Sequence, residues 1–193
     1  MIDLDHSQNL AARPRAGCFL ALLLLAGLLA SYGQAGVVFT NLYSFSGNDG
    51  ANPQAALVQG SDGYFYGTTY AGGTNNPGTV FKITSNGALT SLYSFSGNDG
   101  ANPSAGLMQC SDGNFYGTST NGGAQDNGTV FKISTNGALI SLYSFTNCDD
   151  GVNPQAALVQ GSDGYFLWHD VRRHELRWHR IQNQHQRGAQ YFV

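Results

Sequence analysis

Two carboxylate positions recur along the chain at a fixed spacing. Asp62, Asp112 and Asp163 each sit in Ser-Asp-Gly, while Asp49, Asp99 and Asp150 sit in loops of the Asn-Asp-Gly-Ala-Asn-Pro type, with Asp149 added in the last of them. Asp, Asn and backbone carbonyls are suitable oxygen ligands for Ca2+, so Asp49, Asp99 and Asp150 are candidate calcium ligands. Their loops lack the alternating acidic spacing of calcium loops. The Ser-Asp-Gly set admits a calcium or catalytic reading too. A turn reading is stronger, because an Asp carboxylate accepts hydrogen bonds from nearby backbone N–H groups. The same reading makes Asp62-Gly63, Asn86-Gly87, Asp112-Gly113, Asn136-Gly137 and Asp163-Gly164 structural turns.

The rest of the catalytic repertoire is thin. Residues 36–166 contain no Glu, His or Arg, eight Asp, and only Lys82 and Lys132 as cations. A Ser-His-Asp triad has no histidine there, and most acid–base chemistry lacks its players. The expectation is a chain that is not an enzyme, with no cofactor and no metal. Lys82 and Lys132 fall in mid-strand and are expected to pair with a neighbouring unit's Asp. Four of the five histidines lie near the end, as His169, His174, His179 and His185. Steps of five and six do not match the i, i+4 spacing of helical metal ligands. Arg172, Arg173, Arg177 and Arg180 with Trp168 and Trp178 imitate a basic-aromatic nucleic-acid segment. The chain as a whole has a net charge of −3, against nucleic-acid binding.

The elements that carry these residues come from a tandem repeat. Residues 42–91 and 92–141 align without a gap and are identical at 35 of 50 positions. Both open LYSFSGNDGANP and share SDG, FYG, GTVFKI and NGAL at equivalent places. A third, partial copy runs from 142 to 166 with one added residue near Cys148, and 36–41 read as the end of a preceding copy. Within a copy the signals are those of strands. Ala56–Gln59, Tyr64–Tyr70, Gly78–Thr84 and Ala88–Phe95 are predicted strands. Between them lie a Ser-Asp-Gly turn, a polar Gly-rich loop at 71–77 and an Asn-Gly turn. Val80 and Lys82 should face one way, Phe81 and Ile83 the other. Tyr43, Phe45, Tyr64, Phe65, Tyr66 and Phe81 form an aromatic set suited to packing between units rather than to stacking on sugars. No stretch has helical periodicity.

The fold class that follows is all-β: four-stranded repeats of about 50 residues, a partial β-propeller, with a β-solenoid as the alternative. Such a unit needs neighbours on both sides. About two and a half copies cannot close a ring of four to eight blades. The expectation is a fragment of something longer or a chain that self-associates through unpaired blades.

The motif string LYSFSGNDGANPxAxLxQxSDGxFYGT…GTVFKI…NGAL resembles the GloVer-type tandem repeat of exported bacterial proteins with varied C-terminal anchors. The resemblance covers residues 37–166. It implies a propeller-type surface protein with many copies and a C-terminal sorting signal, and it transfers no catalytic residue.

The two ends differ in composition from the repeats. Arg13 and Arg15 precede a 13-residue apolar run, Cys18–Ala30, followed by small residues at Gly33 and Ala35. This reads as a secretory signal peptide over 1–35 cleaved after Ala35, since the run falls short of the roughly 20 residues of a membrane span. Cys18 stands at the start of the apolar run rather than after it, against lipidation. Export permits disulfides, but Cys110 and Cys148 occupy different repeat positions, so free thiols are expected. The function expected is a binding or surface scaffold with an unidentified extracellular ligand, glycan among the candidates, and membrane contact only through the signal peptide. The alternatives are a fragment of a propeller enzyme acting on polysaccharide and a non-functional frameshifted product.

Residues 167–193 read as the repeat out of frame. Removing the first base of the Leu167 codon from a degenerate back-translation permits YGTTYAGTNYGGTVFKISTNGALNIS, which continues the repeat. A one-base insertion near codon 167 would account for the Trp, His and Arg found there.

Overall fold

The computed structural model describes residues 39–146, 150–172 and 175–182, and leaves undescribed the side chains of 170–172, 175–178 and 182. The signal-peptide segment, Cys18, Cys148, His174 and His185 lie outside this range. Every regular element described is a strand. The first sheet holds β1 (Val58–Gln59), β2 (Phe65–Thr69), β3 (Thr79–Ile83) and β4 (Leu89–Ser94). The second holds β5 (Met108–Gln109), β6 (Phe115–Ser119), β7 (Thr129–Ile133) and β8 (Leu139–Ser144). The third holds β9 (Val159–Gln160), β10 (Tyr165–Arg172) and β11 (Glu175–Gln182). Each sheet is an antiparallel meander in which strands neighbour in chain order. The fold is therefore all-β, built of repeated propeller-like sheets without a closed barrel.

The strands are shorter than the sequence suggests. The first is two residues rather than Ala56–Gln59; in the second and third units the preceding leucine, Leu107 or Leu158, is buried between units instead of joining the ladder. The fourth strand crosses the sequence period, since β4 spans the boundary at 91/92. Its register against β3 shifts between Val80 and Phe81: Tyr93 lies opposite Val80, Ser91 opposite Phe81, and Leu92 is the extra residue. The second sheet repeats the shift at Val130/Phe131. Such a bulge lets successive residues pack inward, and Leu92 and Tyr93 both lie against the first core cluster.

The core lies between sheets. Tyr66, Val80 and Phe95 of the first unit join Leu107, Phe115, Phe131 and Ile133 of the second in one buried cluster. Tyr116, Val130 and Phe145 join Leu158, Phe166 and Trp168 in the next, with Cys110. The Tyr66 and Phe115 rings stack at 4.0 Å, and Tyr116 meets Phe166 at 4.6 Å. Phe95 meets Phe131 edge-on at 5.2 Å. The alternation predicted for β3 holds: Val80 faces the following unit, while Phe81 faces Phe45 at 5.2 Å. Both faces of the middle sheet are thereby covered, and β6 is buried along its whole length.

The tail, as translated, continues the third sheet. Phe166 stands opposite Ile181 as Phe65 stands opposite Ile83. Trp168 takes the place that glycine holds at Gly67 and Gly117, and its ring fills the space given to Phe81 and Phe131 in the other units. It lies 5.5 Å from Phe145 and stacks on His179 at 5.3 Å. Its Nε1–H is buried with no hydrogen-bond partner among the described residues, an arrangement that costs stability.

The two inter-unit faces predict different sensitivities. Phe115→Ala should cost about 3–5 kcal/mol, as expected for a fully buried aromatic. Phe65→Ala, at the equivalent but only partly buried position, should cost less. Urea unfolding midpoints of the two variants check the order.

Candidate functional site

Every carboxylate singled out in the sequence has a local hydrogen-bond donor, apart from Asp149, which lies outside the described residues. Asp49 accepts from the Tyr43 hydroxyl and from the Ser46 N–H at 2.8 Å. Asp99 accepts from Tyr93 and from the Ser96 N–H at 2.9 Å. Asp150 accepts from Tyr143 at 2.7 Å and from the Thr146 N–H at 2.9 Å. The Tyr43 hydroxyl first, then the Ser46 N–H, draw the Asp49 carboxyl down to about 2. Burial first, then the hydrogen bond to Asp99, push Tyr93 up to about 12. These Tyr–Asp clasps close the Asn-Asp-Gly loops.

A second clasp recurs at the Ser-Asp-Gly turns. Tyr66 donates to Asp62 at 2.6 Å, and Tyr116 to Asp112 at 2.8 Å. The Tyr64 and Asn114 N–H groups donate to the same carboxylates, as the turn reading requires. The positive φ is carried by glycine alone, at Gly63, Gly113 and Gly164, and likewise at Gly87 and Gly137 in the Asn-Gly turns. Asn86 and Asn136 instead accept from the Thr84 and Ser134 hydroxyls. In the third unit Leu167 replaces the tyrosine, and Asp163 keeps the Tyr165 N–H at 3.1 Å with Arg180 at 3.7 Å. Asp112 is raised by burial but lowered more by Tyr116, Lys132 and Asn114, leaving it well below the usual carboxylate range.

The lysines depart from expectation. Lys132 pairs with Asp112 of its own unit at 3.0 Å, not with a neighbour's Asp. Lys82 does reach the next unit, but donates to the Thr135 carbonyl at 3.3 Å and lies 4.8 Å over the Tyr64 ring. The physical reason is local: Asn114 replaces Tyr64 in the second copy, so Lys132 lacks that ring, lies 5.7 Å from the Tyr116 ring centroid and reaches the carboxylate. Cys110 is a free, buried thiol pushed up to about 11 by burial first and then by Asp112. His169 and His179 lie on the paired strands β10 and β11. Among the described residues no three His, Cys, Asp or Glu side chains form a metal-holding group.

The sequence reading missed the role of the Ala-Asn-Pro segment. Asn102 and Asn153 adopt positive φ of 55° and 49° directly before proline, a region Asn tolerates and most residues avoid. Asn102 donates its side-chain N–H to the Tyr70 carbonyl at 2.9 Å and its backbone N–H to Pro77 at 2.7 Å. Asn153 does the same to Thr120 and Asn127. Each segment is a clamp gripping the Gly-rich loop of the unit before it. The Asn-Pro dipeptide was the available signal.

That gripped loop is where the two copies differ. Seven of the nine positions 69–77 change between the first and second copies, and the two that do not are Gly72 and Gly73. Both glycines have positive φ, and a Cβ on Gly72 would lie 2.5 Å from the Gly47 carbonyl oxygen. The frame is fixed: Gly72 N–H donates to Asn76 Oδ1 at 2.9 Å, and Thr74 N–H to Ser94 Oγ at 2.8 Å. Gly122 to Asp126 and Ala124 to Ser144 reproduce both bonds at 2.7 Å. The tips, Thr74–Asn76 and Ala124–Asp126, are exposed in both units. A constant frame thus presents side chains that vary from copy to copy at exposed tips.

The Gloeobacter/Verrucomicrobia repeat family model matches residues 25–168. The chain belongs to this family. No curated protein matches it.

Two tests follow. Asp126→Asn, which restores the first copy's acceptor, should change stability by less than about 0.5 kcal/mol. Gly122→Ala should cost at least about 1–3 kcal/mol from backbone strain alone, with a close approach to the Gly97 carbonyl added. Thermal melts of the pair check this. For the clasps, a carboxyl lowered in the folded state stabilises above its unfolded pKa, about 4. The Asp49 contribution is then lost as pH falls from about 4 through about 2. A melting-temperature profile should fall across that window, and less steeply for Tyr43→Phe.

Proposed function

We propose that the chain is an exported bacterial repeat protein whose propeller-like units act as a binding or surface scaffold. The observation that carries this reading is the concentration of repeat-to-repeat differences in exposed loop tips held on an unvarying glycine frame. Rigid elements with variable loops are the usual arrangement of recognition surfaces. Export rests on the signal-peptide pattern of residues 1–35. The ligand class is extracellular glycan, which the polar Thr, Asn and Gln tips suit, and nucleic acid is disfavoured by the net charge of −3. Open unit faces support self-association.

An array of bacterial and plant glycans probed with the chain recovered from an exporting host tests the reading. Binding is expected, and exchanging residues 74–77 for those at 124–127 should change the glycans bound while leaving the melting temperature within about 2 °C. No binding to any glycan would overturn the ligand class. Hydrolysis of a polysaccharide that disappears in Asp62→Asn or Asp112→Asn would replace the scaffold by an enzyme.

A second reading concerns the tail. We propose that residues after Phe166 are read one base out of frame. The Trp168 Nε1–H, without a partner among the described residues, and the leucine at the clasp position of Tyr66 and Tyr116 support it. The shifted frame would put tyrosine at 167 and glycine at 168. Resequencing the DNA across codons 160–193 decides: a single surplus base supports the shift, and a downstream sequence with no repeat-coding frame refutes it.

A further inference from the structure

The third sheet, in the order β11-β10-β9, has one strand fewer than the others among the described residues. At the other end, Leu42–Phe45 has the same Leu-Tyr-Ser-Phe sequence as the segments that complete the fourth strand of the first two sheets. It pairs with no sheet among the described residues. It is nonetheless placed as a fourth strand would be. Phe45 meets Phe81 at 5.2 Å and 69°, as Phe95 meets Phe131, and Tyr43 clasps Asp49 as Tyr93 clasps Asp99. Beside it, Leu57 is 47% exposed where the equivalent Leu107 is 6% exposed beneath the preceding unit.

We infer that residues 41–44 of one copy add to the outer edge of β11 in a second copy as its fourth strand, so that the second copy's third sheet covers the first unit's open face. The inference rests on the self-association reading above and names the segment and the edge. A second copy is the occupant because the middle sheet separates the first and third units of one chain, and both its faces are already covered. The covering surface is specified by the two internal examples, in which a unit of the same repeat seats on the Asn-Pro segment of its neighbour, at Asn102 and at Asn153. The register also follows. Ser94 lies opposite Thr79, and Tyr93 opposite Val80. Arg177 and Trp178 hold the positions of Thr79 and Val80 in β11. Ser44 therefore comes opposite Arg177, and Tyr43 opposite Trp178. Main-chain hydrogen bonds to an open edge supply the attraction. The contact is head-to-tail, so copies build a ring or an open string.

The test uses the full chain from an exporting host, with Cys148→Ser as background. Sedimentation velocity should show mass rising with concentration. Ser44→Cys and Arg177→Cys, prepared separately, mixed and oxidised, should give a cross-linked dimer that neither gives alone. Phe39 is 93% exposed and corresponds to Leu89 of the fourth strand. Phe39→Asp should weaken association at least about tenfold with the melting point of the dilute chain unchanged. Association without a cross-link in the mixture would overturn the strand pairing and leave self-association standing. A folded monomer at every concentration would overturn both while leaving glycan binding untouched. Cross-linking within single chains of the double variant would overturn the second-copy occupant.

Discussion

A sheet of four short strands has two faces and no interior. The chain's stability depends on laying one such face against the next, and the contact between Tyr66 and Phe115 marks where this happens. The tyrosine belongs to one unit's second strand and the phenylalanine to the next unit's second strand, so one Phe-Tyr dipeptide serves two interfaces. Burying each large ring contributes about 1.5–3 kcal/mol. That gain is available only to a unit with a neighbour, which makes stability a property of the stack. The buried run of β6 is the direct result.

Polar groups taken into the stack are paired within it. Thr69 and Thr79 share a hydrogen bond of 2.8 Å across β2 and β3, and Ser119 and Thr129 do so at 2.9 Å. The Thr79 and Thr129 hydroxyls also reach the backbone carbonyls of Asp49 and Asp99. A Cβ at Gly50 would fall 2.6 Å from Thr69, which is why glycine follows the clasped aspartate. The aspartate in the loop and the hydroxyls in the strands thus fix the same turn from opposite sides.

Strand identity, the turns and the facing of Val80 against Phe81 were legible because each depends on local chemistry: alternation, Asp-Gly and Asn-Gly, and ring-bearing positions. The destination of Lys132 was not, because it depends on what the second copy has at position 114, across the strand pair. The clamp of Asn102 was hidden for a similar reason. An Asn-Pro in a Gly-rich loop reads as a local turn, whereas its hydrogen bonds run to carbonyls of residues 70 and 77. The candidate site, the loop tips, could have been found by comparing the copies with each other, but their status as an exposed rim on a rigid frame needed the hydrogen bonds of Gly72 and Thr74.

The third unit shows how far the stack constrains its members. Trp168 replaces a glycine, yet the sheet forms, since one large ring can fill the space that Phe81 and Phe131 fill from the facing strand. The apolar volume between sheets is conserved while its donor changes strand. What the exchange does not preserve is polar pairing: among the described residues the indole N–H has no partner, and an aspartate loses its tyrosine. Packing between sheets therefore tolerates substitution by volume, whereas the clasp depends on a hydroxyl and is lost with the tyrosine. The loop tips can vary at residues 74–77 because both requirements are met elsewhere, in the rings beneath them and in the hydrogen-bonded turns on either side.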